Sequence, residues 1–189
     1  MDSDPQAVGS IGPNLYFTAD DGIHGRELWR SDGTEAGTYP VKDIRSGEES
    51  AEASNFVVLH NVLYFSADDG QHGQELWRSD GTEAGTSLVK DILPGAGGSA
   101  PQVSVQAGEL YLAANDGVHG IEPWISDGTE SGTFLMGDVN PGTSSSQPDN
   151  FIYWRGQVYF EAGDFEHGRE LWVYDLGLTP KGYMPLLTR

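Results

Sequence analysis

An internal repeat constrains this chain more than any other feature. Trp29, Trp77, Trp124 and Trp172 stand 48, 47 and 48 residues apart. Tyr16, Tyr64, Tyr111 and Tyr159 keep the same interval, and so do His24, His72, His119 and His167. Each of the four copies holds four short stretches with strand character, in the second copy 56–60, 62–67, 75–79 and 87–92. Between them lie Asp-Gly, Gly-Thr and Pro-Gly turns, which supply positive φ and side-chain-to-backbone bonds. No apolar stripe of helical period interrupts this pattern. A lone four-stranded sheet has two apolar faces and cannot bury both, so neighbouring copies must cover them. The expected fold is all-β: a four-bladed β-propeller with four antiparallel strands per blade. The blades fall at about 5–47, 53–95, 100–142 and 147–189 within a single domain, 1–189, with the tryptophans packed between blades. A row of stacked sheets is the structural competitor. Radial closure leaves fewer open sheet edges and is preferred.

Charge and composition narrow the partners. The 189 residues include 29 Asp and Glu against 10 Lys and Arg, a net charge of −19, and no cysteine. Nucleic acid and anionic membrane surfaces both need Lys and Arg to replace counterions, so neither is an expected partner. No apolar run approaches the ~18 residues of a membrane helix, and no membrane insertion is expected. Without cysteine there is no disulfide, thiolate metal site or thiol nucleophile.

The string Glu-Leu-Trp-x-x-Asp-Gly-Thr-x-x-Gly-Thr runs from Glu27 to Thr38 and again from Glu75 to Thr86. It is followed by Val41-Lys42-Asp43-Ile44 and Val89-Lys90-Asp91-Ile92. These motifs resemble the bacterial ELWxxDGT repeat family. Copy three departs at Pro123 and at 136–139; copy four departs further, and its Trp172-Val173-Tyr174-Asp175 is similar to a kelch blade. The resemblance implies a secreted or cell-surface bacterial protein with no assigned reaction. In length the chain is similar to hemopexin-like four-bladed domains, and a monomeric ring is expected in preference to an oligomer.

Three constellations recur. The first is Asp-Gly-x-His-Gly-x-Glu between the second and third strands, which in copy four reads Asp164-Phe165-Glu166-His167-Gly168-Arg169-Glu170; together the copies offer Asp21, Asp69, Asp116, Asp164, His24, His72, His119 and His167. Carboxylates with loop carbonyls suit Ca²⁺, and imidazole suits transition metals. Loops holding Ca²⁺ separately are the expected functional form. In the competing reading each loop is closed on itself, with the Asp bonding the turn's N–H groups. The second is an amide opening the first strand of every copy: Gln6, Asn55, Gln102 and Asn150. Amides both donate and accept, so a ring of them would hold water, an ion or a small polar ligand. The third is Asp43, Asp91 and Asp138 at the end of the fourth strand, placed either to add a ligand or to cap the turn that follows.

No Gly-x-Ser-x-Gly, P-loop or His-Glu-x-x-His motif is present. Near-identical copies leave no unique catalytic cluster apart from Glu161, Phe165 and Glu166 in copy four, with Trp154 and Arg155 close in sequence. The expected function is therefore a non-enzymatic extracellular binding or interaction module for an unidentified protein or glycan, with Ca²⁺ as its expected cofactor. A lectin-like propeller and a structural assembly unit are the alternatives.

Overall fold

The computed structural model describes residues 3–175 and the pair 184–185. Every regular element among them is a strand, and the strands form separate four-stranded antiparallel sheets. The chain divides into two compact units, Met1–Ala100 and Pro101–Arg189.

The first unit holds two sheets. One is built of β1 (Gln6–Ile11), β2 (Asn14–Asp20), β3 (Arg26–Ser31) and β4 (Tyr39–Lys42). The other is built of β5 (Ser54–Leu59), β6 (Val62–Asp68), β7 (Gln74–Ser79) and β8 (Ser87–Lys90). In both, strands pair in chain order. The register sets what each face carries. Phe65 lies opposite Trp77 and Ala67 opposite Glu75, which puts these side chains on one face; Tyr64 and Leu76 point to the other. The unit's core forms where the Tyr16, Leu28, Val41 and Ile44 face of the first sheet meets Leu63, Phe65, Ala67 and Trp77 of the second. Phe56 stacks on Phe65 with ring centroids 5.2 Å apart. Fully burying a side chain such as Phe65 stabilises by about 2–3 kcal/mol. The sheets approach so closely that a Cβ on Gly81 would lie 2.0 Å from the Tyr16 hydroxyl. Gly81 also has φ of +87°, so it is required twice over.

The second unit repeats the plan. Its sheets are β9 (Gln102–Gln106), β10 (Glu109–Asn115), β11 (Ile121–Ser126) and β12 (Phe134–Leu135), then β13 (Asp149–Trp154), β14 (Gln157–Asp164), β15 (Gly168–Asp175) and β16 (Met184–Pro185). Tyr111, Ile125, Met136 and Val139 of one sheet share a core with Val158, Phe160, Ala162 and Trp172 of the other. Phe151 stacks between Tyr111 and Phe160, at 5.5 and 5.4 Å.

The turn chemistry is the same in three copies. After β3, Asp32 Oδ1 accepts the Thr34 N–H (2.9 Å) and hydroxyl (2.7 Å), and Thr34 Oγ1 accepts the Gly37 N–H (3.0 Å). Asp80 with Thr82 and Asp127 with Thr129 repeat this. The repeated glycine after the turn has a steric cause: a Cβ on Gly37, Gly85 or Gly132 would sit about 2 Å from that carboxylate.

Two expectations need correction or qualification. The tryptophans were all assigned to a core between sheets. Trp77, Trp124 and Trp172 are buried, but Trp29 is only half-buried. The last strand of copy four is described only at Met184–Pro185; the rest of that blade's end, up to 189, lies outside the described residues.

Candidate functional site

Each Asp-Gly-x-His loop closes on its own side chains. Asp21 Oδ1 accepts the N–H groups of Ile23 (2.9 Å) and His24 (2.8 Å), while Oδ2 lies 2.8 Å from His24 Nδ1. Asp69 treats Gln71 and His72 in the same way, and Asp116 treats Val118 and His119. In copy four, Asp164 bonds the His167 N–H and imidazole. The imidazole bond and the His24 and Ile23 N–H groups hold the Asp21 carboxyl down at about 2, and the same carboxylate pushes His24 up. For Asp69, burial works upward, but the N–H groups of His72 and Gln71 and the His72 imidazole outweigh it and hold the group low. Both carboxylate oxygens are thus engaged in shaping their own loop. Among the described residues, no three His, Asp or Glu side chains come together as a metal-binding group.

The amides fall at the expected strand starts and are exposed: Gln6 opens β1, Gln102 opens β9, and Asn55 and Asn150 are the second residues of β5 and β13. Asn55 and Asn150 each have φ of +54° and sit at irregularities in the pairing of β5 with β6 and β13 with β14. Asn is among the few residues that take this conformation readily, so backbone geometry accounts for the amide there. Asp138 Oδ2 accepts the Gly142 N–H at 3.0 Å and caps the Pro-Gly turn.

The Glu of Glu-Leu-Trp has a role that was not read from the sequence. Glu27, Glu75 and Glu122 are at most 1% exposed. Glu75 accepts the N–H groups of Ile92 (3.1 Å), Leu93 (3.0 Å) and Ser99 (2.9 Å), and the Ser99 hydroxyl (2.6 Å). Glu122 accepts the N–H of Val139 and both donors of Ser146. Glu27 accepts the N–H groups of Ile44 and Arg45. Each carboxylate therefore ties the third strand to the link leaving its own sheet. Burial pushes Glu27 and Glu122 up to about 7 against these donors, and raises Glu75 as well. The signal was available: a charged residue two positions before the repeated Trp lies on the same strand face as that Trp.

The link after the first sheet departs from the other copies. Where copies two and three have Leu93 and Asn140, copy one has Arg45. Its guanidinium reaches from the first sheet's link to Asp68 on the second sheet, and its Nε donates to Glu49 at 2.8 Å. Lys42 Nζ donates to the Thr86 carbonyl at 2.9 Å, again joining the two sheets. Above these ties lies a cleft of about 580 Å³ lined by Lys42, Asp43, Arg45, Glu49, Asp69 and Trp77. Asp43 and Asp69, placed in separate constellations by the sequence, share this cleft; Asp21 does not line it. The copy-four acids give less. Glu161 lines a shallow hollow with Arg169, whose Nε lies 3.4 Å from it, whereas Phe165 is 80% exposed.

No protein-family model and no curated protein matches the chain. Solved structures do. A puromycin hydrolase (S511A mutant complexed with PGG) aligns over 97% of this chain at 16% identity with a TM-score of 0.57. A prolyl endopeptidase aligns over 95% at 16% identity with a TM-score of 0.55. An α-L-arabinofuranosidase from Clostridium thermocellum aligns over 96% at 18% identity, covering 70% of that chain, but its TM-score of 0.40 is too low to argue from. The chain spans 29% of the puromycin hydrolase and 26% of the prolyl endopeptidase. At these identities the likeness concerns the fold. It corrects one expectation: the chain was read as standing apart from enzymes, yet the proteins that share its arrangement of sheets are hydrolases.

Proposed function

We propose that this chain is a β-propeller-type module, its sheets serving as blades, that recognises a small peptide-like ligand in the cleft of its first unit as part of a hydrolase-type protein. Its resemblance to ELWxxDGT repeats supports a place outside the bacterial cell or on its surface. The hydrolase context is supported by matches that take in nearly all of this chain and under a third of each relative. One observation carries the reading. The cleft sets Lys42 and Arg45 beside Asp43, Asp69 and Glu49, next to the Trp77 indole, and of the links after the first three sheets only this one carries charged residues. Cations and carboxylates within one cleft suit a dipolar ligand, with an ammonium group for Asp43 and a carboxylate for Lys42, whose ammonium has two N–H donors beyond the one given to Thr86. An indole beside the acids adds attraction for the ammonium group.

Amide chemical-shift mapping with the dipeptide Gly-Pro tests this. Shifts are expected in 42–46 and 69–71, and a Gly-Pro blocked at both ends should bind at least about tenfold more weakly, since both end charges are lost from a partly buried site. An equal response to the blocked dipeptide, or shifts confined to other residues, would reject the proposal.

A further inference from the structure

Arg45 belongs to both sides of the cleft in the first unit. Its backbone is fixed on the first-sheet side: the Arg45 N–H donates to Glu27 Oε1 at 3.1 Å, as part of the clamp on the outgoing link. Its side chain is fixed on the second-sheet side. There Nη1 donates to Asp68 Oδ2, and the two side chains are 26% and 20% exposed, so the pair is largely withdrawn from solvent. Asp68 passes the contact on, since its Oδ1 accepts the Gly70 N–H at 2.7 Å. The Arg45 side chain also runs along that glycine, where a Cβ on Gly70 would stand 3.7 Å from Arg45 Nε. Asp69, Gly70 and Gln71 line the cleft from the second sheet, and Lys42 and Asp43 from the first. One guanidinium therefore joins the loop on one side to the link on the other.

The second unit shows the same plan without this tie. Counted from the repeated tryptophans, Asn140 stands where the first unit has Arg45, and Gly163 where it has Asp68. Both partners are replaced together. Asn140 turns back on its own link and donates to the Ser145 carbonyl at 3.3 Å. The glutamate clamp is present in both units, from Glu27 to Ile44 and from Glu122 to Val139, so a link keeps its course without the arginine. What Arg45 adds is the tie across the cleft. We propose that Arg45 is a positioning residue for the ligand: through Asp68 it holds the 69–71 loop in place opposite Lys42 and Asp43, so that the ligand meets a preformed cleft. This role rests on the cleft being the ligand site. A loop already in place spares the ligand the cost of ordering it, so loss of the tie should appear in affinity.

Titration with Gly-Pro and backbone amide order parameters, both on the full chain, test this in Arg45→Leu and Asp68→Asn. Each substitution has a counterpart in the chain. Leu93 occupies the place of Arg45 in copy two. Asn115 occupies that of Asp68 in copy three, where its Oδ1 still accepts the Gly117 N–H at 2.8 Å. Each variant should bind Gly-Pro about tenfold more weakly. Without ligand, the order parameters of 69–71 should fall below the ~0.85 of rigid backbone. The double variant should bind no more weakly than either single one, because all three lose the same tie. Arg45→Lys keeps a charge for Asp68 and should recover most of the affinity. Weaker binding with unchanged order parameters would overturn the proposal by making Arg45 a direct contact. So would unchanged affinity in both single variants, or losses that add in the double variant. If one single variant fails to fold, the other decides. An unaltered chain that does not bind Gly-Pro would reject the ligand reading itself, and this role with it.

Discussion

Two sets of repeated carboxylates, a few residues apart in every copy, behave in opposite ways. Asp21 and its equivalents lie in loops between strands, take N–H bonds from the next two or three residues, and face an imidazole. Glu27, Glu75 and Glu122, in the first three copies, lie within strands, are buried to 1% exposure or less, and take N–H bonds from a link 17 to 24 residues further on. The hydrogen bonds are similar, and burial decides the rest. In the loops the imidazole and N–H groups hold Asp21 at about 2. In the strands desolvation outweighs the donors and lifts Glu27 and Glu122 to about 7. The loop aspartates shape local turns; the glutamates decide where the next sheet begins.

Removing a clamp should have the largest effect. Glu75→Ala leaves three N–H groups and a hydroxyl buried without their acceptor, and is expected to cost about 3 kcal/mol, read as a shift of the urea midpoint at unchanged slope. A loss below about 1 kcal/mol would mean the link holds its course without the glutamate.

Proton uptake should separate the two sets next. Glu27 and Glu122 are raised from 4.5 to about 7 in the folded chain, so the stability they bring is complete below pH 4.5 and is lost as pH rises to about 7. The histidines, raised by their aspartates, add stability below about pH 6.5 that disappears as pH rises further. Asp21, lowered from 3.8 to about 2, brings stability that is present above pH 3.8 and lost as pH falls toward 2. The melting temperature should therefore peak near pH 4–5 and fall by roughly 5 °C by pH 8. A melting temperature that rises steadily from pH 5 to 8 would contradict the assignment of the buried glutamates.

A smaller effect sharpens the comparison within the clamps. Copy one has Ala51 where copies two and three have Ser99 and Ser146, so its glutamate lacks the hydroxyl donor. Ala51 is fully buried, and the equivalent site accommodates a serine. Ala51→Ser should raise stability by about 0.5–1 kcal/mol, measured by urea titration; a loss would show that the first link follows a different course. The smallest effect belongs to the loops. With both oxygens of each loop aspartate engaged, EDTA is expected to leave the melting temperature unchanged, and a drop of several degrees would restore Ca²⁺ to these loops.

The period of the tryptophans made the four-strand unit legible, because strand spacing and turn residues repeat together. In copy two the strands read from sequence at 56–60, 62–67, 75–79 and 87–92 lie within two residues of the observed ends. The Asp-Gly-Thr turns were legible for the same reason: their bonds span two to four residues. The clamp was not, since its donors lie as far as 24 residues away on a link of variable sequence. Nor was the cleft. It joins Asp43 to Asp69 across two sheets, and the residue that marks it, Arg45, stands out only when the copies are aligned and the odd one is asked what it touches.

The clamps also bear on how the chain is assembled in time and in evolution. Each ties partners no more than 24 residues apart, so each of the first three sheets and its outgoing link form a unit whose contacts are short in sequence. Such units fold by zipping to a neighbour instead of waiting for distant ends to meet. A duplicated or deleted copy would carry its own connector with it, which gives this architecture a route to proteins of different repeat number without a new joint.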